Sequence, residues 1–244
     1  MPATPVVLFL PARDEAESVG AVLARVPAEV HGHPVVALVV DDGSTDGTAE
    51  IAIAAGARVV RLDPGRGLGA AVRAGLDAAV RLDAAAVAFC DADGEYAPEE
   101  LARLLAPVLD GSADYVVGSR FAGHIDRMRP HRRVGNRLLT LLVRRLSGVH
   151  VTDGQSGYRA LSPIAARDAQ IAHDYNYAQV LTVDLVARGY RYREVPISYS
   201  FRTTGRSFVR LVPYLRHVVP TLWRQQRELR SRAHVDRRAP ALAR

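Results

Sequence analysis

What most restricts this chain is an alternation repeated through its first 120 residues. Short apolar runs, Val6 to Leu10, Val35 to Val40, Arg58 to Leu62, Ala84 to Cys90 and Tyr115 to Gly118, each end on a polar or glycine-rich turn and give way to a stretch with helical spacing. Helices are expected from about Pro11 to Val26, from Thr48 to Ala55, from Leu68 to Leu82 and from Pro98 to Leu109. Strands and helices alternating at this spacing build a parallel sheet covered on both faces, an α/β fold. Ligands of such sheets bind beyond the carboxyl ends of the strands.

The acidic turns fall at that end. Glu15 follows the first run, Asp41-Asp42-Gly43-Ser44 the second, and Asp91-Ala92-Asp93-Gly94-Glu95 the fourth. Carboxylates thrown out together repel one another unless a cation neutralises them. Asp91 and Asp93, with Glu95 as a third oxygen ligand, are therefore candidate ligands of Mg²⁺ or Mn²⁺, hard cations that keep room for substrate phosphates. The other reading of the triplet is a solvated turn ahead of the helix at Pro98.

The second half is less regular and strongly basic. The net charge is +6, the pI is 9.9, and every Lys/Arg-type cation is Arg. Arginines crowd Arg127 to Arg145 and Arg202 to Arg238, which favours an anionic partner: phosphate, an acidic membrane surface or nucleic acid. Arg127 to Arg137 reads as a basic loop. Val134 to Leu146 reads as an amphipathic helix, either packing its leucines on the sheet or lying on an anionic bilayer. A helix over Ala178 to Ala187 and a strand near Tyr192 to Pro196 follow. Phe208 to Trp223 is a second apolar and basic segment, and residues 224–244 form a basic tail expected to fray. Residues 1–223 are expected to make a single domain.

No apolar run reaches the ~20 residues of a spanning helix, and no signal-type segment opens the chain, so a cytoplasmic protein, peripheral on the membrane, is expected. The single cysteine, Cys90, belongs to a buried strand and fits a packing role. The histidines show no zinc spacing.

Pro11 to Glu15, Val40-Asp41-Asp42-Gly43-Ser44, the Asp91/Asp93 pair and Asp153-Gly154-Gln155-Ser156-Gly157-Tyr158-Arg159 together resemble the family 2 glycosyltransferases of GT-A fold. With Arg193-Glu194-Val195-Pro196-Ile197, they look most like the dolichyl or polyprenyl phosphate mannose and glucose synthases. By that resemblance Pro11, Arg13, Glu15, Val40 and Asp42 would hold the base and ribose of a nucleoside diphosphate sugar, GDP-mannose or UDP-glucose. Asp91, Ala92, Asp93 and Glu95 would face its diphosphate and metal. Relatives usually carry Tyr and Asn where this chain has Arg13 and Asp14, and Gln where it has Glu95.

Glycosyl transfer needs the departing diphosphate neutralised, and a metal aided by cations does so without a proton donor. Asp93 and Arg202 are the leading catalytic candidates, with Arg202 and Arg206 placed to close over the phosphates. A lipid phosphate acceptor is already anionic and needs only cations to guide it: Arg120, Arg129, Arg132, Arg133 and Arg137. A hydroxyl acceptor would need a base, for which Asp153 is the reserve candidate. A membrane protein partner is a further expectation, since relatives continue into membrane-spanning helices.

Two other readings start from single features. Gly65-x-Gly67-x-x-Ala70 matches a dinucleotide fingerprint, but it follows the third strand instead of the first. The pI alone suggests nucleic acid, yet aromatics are sparse in the basic regions and no recognition motif is present, so no nucleic-acid partner is expected.

Overall fold

The structure, a computed structural model, describes residues 3–174 and 177–201. Arg202, Arg206, the Phe208 to Trp223 segment and the tail from Arg224 lie outside the described residues. The strands are β1 (Val6–Ala12), β2 (Glu29–Val30), β3 (His33–Asp41), β4 (Arg58–Arg61), β5 (Ala86–Phe89), β6 (Tyr115–Ile125), β7 (Arg159–Leu161) and β8 (Tyr192–Tyr199). The helices are α1 (Val19–Leu23), α2 (Thr48–Ala54), α3 (Leu68–Arg81), α4 (Leu101–Leu109), α5 (Pro130–Ser147), α6 (Pro163–Asp168) and α7 (Ala178–Ala187). One eight-stranded sheet runs β2-β3-β1-β5-β7-β6-β8, with β4 beside β3.

Alternation along β1 explains the layering. Val6, Leu8 and Leu10 point to one face, where Val19, Val22, Leu101, Leu104 and Leu105 of α1 and α4 cover them. Val7 and Phe9 point to the other, against Val72 and Leu76 of α3 and Leu181 and Leu185 of α7. Phe9 stacks on Phe89 with centroids 4.8 Å apart.

The sheet is not wholly parallel. β7 runs antiparallel to both β5 and β6, while β6 and β8 pair parallel. This reversal brings the Asp153 to Tyr158 turn to the carboxyl edge of its neighbours. β6 also extends well beyond the expected Gly118, carrying Ser119 and Arg120 within the strand.

The expected basic loop is largely helix. Pro130 sits in the first turn of α5, where a missing N–H costs nothing, so Arg132, Arg133 and Arg137 ride on that helix. The inner residues Leu139, Leu142, Val143 and Leu146 pack with Val180 and Val183 of α7 and Tyr192 at the start of β8. The outer face still leaves Val134, Leu138 and Leu141 more than half exposed, between exposed Arg133, Arg137 and Arg145. Among the described residues no helix is long and apolar enough to cross a membrane.

Gly75, in the middle of α3, permits the helix to lie close on β1: a β-carbon there would stand 2.5 Å from Cε2 of Phe9. Gly75→Ala gains about 1 kcal/mol of helix propensity, but the overpacked ring should make the variant less stable overall by about 1–3 kcal/mol. Urea unfolding checks this; a variant as stable as the parent would refute the close packing.

Candidate active site

Strand register gathers the acidic turns. Ala12 of β1 stands opposite Asp41 of β3, and Phe9 opposite Phe89 of β5, all parallel, so Arg13 to Glu15, Asp42 and Asp91 to Glu95 leave from one edge of the sheet. Arg159 of β7 is level with both Phe89 and Val117, which sets Asp153 to Tyr158, Ser119 and Arg120 along the same edge.

On the β1–β3 side the carboxylates shape the chain. Asp42 is buried and accepts hydrogen bonds from the backbone N–H groups of Arg66 at 2.6 Å and Gly67 at 2.8 Å, with Arg13 Nη1 at 3.8 Å. Asp41 accepts from Ser44 N at 3.0 Å, and Asp14 from Thr45 N at 2.9 Å. Glu15 is buried, its backbone N–H donating to Thr48 Oγ1 at 2.9 Å and its carboxylate accepting from the Ser18 hydroxyl at 2.9 Å. Pro11 and Val40 are buried within their strands, while the Arg13 side chain is half exposed at the rim.

Gly65, Gly67 and Gly69 serve backbone packing. A β-carbon on Gly65 would collide with the Asp42 carbonyl and one on Gly67 would stand 2.7 Å from the Asp174 carbonyl. Gly69 N–H donates to that same carbonyl at 2.7 Å. The first turn of α3 therefore meets protein backbone, which accounts for the glycine spacing without a dinucleotide.

Beyond β5, Ala92 is buried and Asp91 and Asp93 are partly exposed. Asp93 Oδ1 accepts from Glu95 N at 3.0 Å. The α-carbon of Gly157 lies against Asp91, so that a β-carbon would come within 2.5 Å of Oδ2, and Gly157 N–H donates to the Tyr96 hydroxyl at 2.6 Å. Burial pushes the Tyr96 hydroxyl well above its ordinary pKa, keeping it a neutral partner.

Glu95 turns elsewhere, contrary to its expected role as a third ligand. Its carboxylate meets Arg132 Nη1 of α5 at 3.3 Å and is hydrogen-bonded by Tyr199. Among the described residues no group of three or more acidic, His or Cys side chains converges on one point. Asp91 and Asp93, beside a wall that tolerates only glycine, offer carboxylate oxygens of the kind a hard cation takes, and waters and diphosphate oxygens would complete its shell.

Asp153 does not stand as a free base. It is wholly buried, and Arg120 grips it at 2.6 Å through Nε, 2.8 Å through Nη2 and 3.1 Å through its backbone N–H. Burial opposes the Arg120 charge, but the Asp153 carboxylate bonded to it overcomes that opposition and holds the guanidinium ionised. Arg120 is thus a buried strut whose Cζ also lies 5.2 Å from the centre of the Tyr199 ring. Of the other acceptor candidates, Arg129 lies with its Cζ 5.6 Å from the Phe201 ring centre, Arg132 holds Glu95, and Arg133 and Arg137 are exposed.

Two supporting residues had not been given roles. Glu194 of β8 accepts from Thr152 N at 2.8 Å, Asp153 N at 3.1 Å and the Tyr192 hydroxyl at 2.7 Å, fixing the turn from below. Arg159 is completely buried and donates to the carbonyls of Ser156 at 2.9 Å and Ala178 at 2.8 Å and to Tyr115 Oη. Its place at the end of the Asp153 to Arg159 motif, ahead of a short apolar run, is its trace in the sequence.

The arrangement matches known proteins. Residues 8–168 match the glycosyl transferase family 2 model. The polyprenol monophosphomannose synthase of Mycolicibacterium smegmatis is 36% identical over 219 residues, covering 84% of this chain and 81% of that protein. A UDP-N-acetylglucosamine–dolichyl-phosphate N-acetylglucosaminyltransferase of Methanococcus voltae is 30% identical over 181 residues, 66% of this chain and 71% of its own. Among solved structures, the glucosyl-3-phosphoglycerate synthase of Mycobacterium tuberculosis, crystallised with Mn²⁺, UDP and glucosyl-3-phosphoglycerate, superposes with a TM-score of 0.74 at 25% identity, covering 91% of this chain and 80% of that one. The sheet is that of the GT-A fold, and the chain belongs to glycosyl transferase family 2 as a glycosyltransferase.

Proposed function

We propose that this enzyme moves a hexose, mannose or glucose, from a nucleoside diphosphate sugar to a polyprenyl phosphate at an anionic membrane surface, with inversion at the anomeric carbon. The observation that carries the reading is the juxtaposition of the Asp91/Asp93 pair with α5, whose outward face alternates exposed arginine and exposed aliphatic side chains. Such a face suits the headgroup boundary, the aliphatic residues entering the apolar layer and the arginines meeting phosphate. The similarity to a polyprenol monophosphomannose synthase supports the same acceptor class.

In the reaction a phosphate oxygen of the acceptor attacks the anomeric carbon while its bond to the β-phosphate oxygen breaks. The products are a lipid phosphohexose and a nucleoside diphosphate, and no proton changes hands. Mg²⁺ or Mn²⁺ on Asp91 and Asp93 would supply the charge that stabilises the departing diphosphate. Arg13 offers its guanidinium plane to the base, and Pro11, Glu15, Val40 and Asp42 frame that side of the pocket. Ala92 spaces the two ligand carboxylates. Arg202 and Arg206 follow β8 directly in sequence and would add cations over the phosphates. Arg129, Arg132, Arg133 and Arg137 would receive the acceptor, with Arg120 supporting them from the interior.

A soluble hydroxyl acceptor is the second reading, favoured by the fold similarity to a glucosyl-3-phosphoglycerate synthase. It needs a base, and Asp153 is engaged on both oxygens by Arg120.

Three outcomes are expected. Asp93→Asn keeps the fold and lowers transfer by roughly 10²–10³-fold, the scale of losing one preorganised transition-state contact; unchanged turnover with Mn²⁺ present would remove the metal from the reading. Replacing Arg129, Arg132 and Arg133 together by Gln raises the KM for polyprenyl phosphate more than it weakens nucleotide binding, measured by titration of the nucleoside diphosphate. Equal losses would make these arginines structural. Asp153→Asn leaves Arg120 buried and half paired and lowers stability by about 3–5 kcal/mol in urea unfolding; a variant of full stability that is inactive would return Asp153 to the role of base.

A further inference from the structure

The Glu95–Arg132 ion pair joins the two halves of the site. Glu95 lies two residues past Asp93, and its backbone N–H donates to the Asp93 carboxylate at 3.0 Å. Its own carboxylate reaches Arg132 at 3.3 Å, with the Glu95 side chain 10% and the Arg132 side chain 37% exposed. The carbonyl of Glu95 accepts from Ser200 N at 2.9 Å, and Tyr199 bonds its carboxylate, so the end of β8 fixes the residue in place. Among the described residues, the charged groups facing this corner are Asp91 and Asp93 on its own loop, Arg132 from α5, and Arg120 from β6, which is committed to Asp153.

A third carboxylate beside Asp91 and Asp93 is tolerable while Arg132 offsets it. Arg132 is partly accessible, and an anion that draws it away leaves the Glu95 carboxylate with the neutral Tyr199 hydroxyl but no cation, next to the cation-binding pair. We infer that the Glu95–Arg132 pair couples the two substrates: a phosphate-bearing acceptor takes Arg132 from Glu95, and the released carboxylate charge tightens divalent-cation binding at Asp91 and Asp93. The inference rests on the acceptor and metal reading given above. By linkage the coupling is reciprocal, so cation and donor also favour acceptor binding. A neutral Gln at this position would be unable to do this.

The test measures Mn²⁺ dissociation constants by the electron paramagnetic resonance signal of free Mn²⁺. It uses full-length protein in detergent with saturating UDP or GDP, in separate arms without addition, with farnesyl phosphate and with inorganic phosphate. Wild type should bind Mn²⁺ about 5-fold or more tightly with farnesyl phosphate, and Glu95→Gln should reduce that factor to near one. Arg132→Gln should bind Mn²⁺ more tightly than wild type with no acceptor present. Circular dichroism confirms that both variants fold. A coupling factor as large in Glu95→Gln as in wild type overturns the inference, as does a wild-type factor of one or an Arg132→Gln affinity no tighter than wild type. A response to farnesyl phosphate alone assigns the anion to the lipid, and a response to both assigns it to the phosphate group; either supports the coupling. Transfer to farnesyl phosphate without coupling fails only this inference, whereas wild type that binds no Mn²⁺ fails the metal reading with it.

Discussion

Carboxylates concentrated at one edge of a sheet must each find a compensating partner, and that requirement orders this molecule. Parallel register delivers Glu15, Asp41, Asp42, Asp91, Asp93 and Glu95 to the rim. Backbone N–H groups satisfy Asp41 and Asp42, and an arginine from α5 satisfies Glu95. Asp91 and Asp93 lie partly exposed on the same rim, with Gly157 against Asp91.

Behind that rim lies a relay of buried polar groups. Glu194 fixes the Thr152–Asp153 turn, Asp153 fixes Arg120, and Arg159 ties the turn to the start of α7. Removing one partner from a buried pair costs several times what an exposed pair contributes. These residues therefore hold Gly157 against Asp91. The reversed strand β7 makes this possible, because only an antiparallel neighbour carries its amino end to the rim where the others finish.

Helix α5 mediates between this interior and the surroundings. Its inner leucines are covered by α7, and its outer aliphatic residues are left at the surface among arginines. Burying one such side chain gains about 1.5–3 kcal/mol, and the exposed set forms a mixed apolar and cationic face. Arg132 then links that face to the acidic loop, which makes the helix part of the loop's charge balance.

Composition and spacing by themselves determined the strand and helix alternation, the edge at which ligands bind and the identity of the acidic turns, because side-chain periodicity and chain direction are local properties. They also carried the family resemblance through short motifs. The direction of β7, the helical state of Arg132 and Arg133, and the partners of Asp42, Glu95 and Asp153 were decided only in three dimensions. Each depends on which group across the sheet arrives to neutralise a charge, and no local pattern encodes that. Asp153 and Asp93 look alike in the sequence; one is sealed by a bidentate arginine from a strand 33 residues away, and the other opens to solvent.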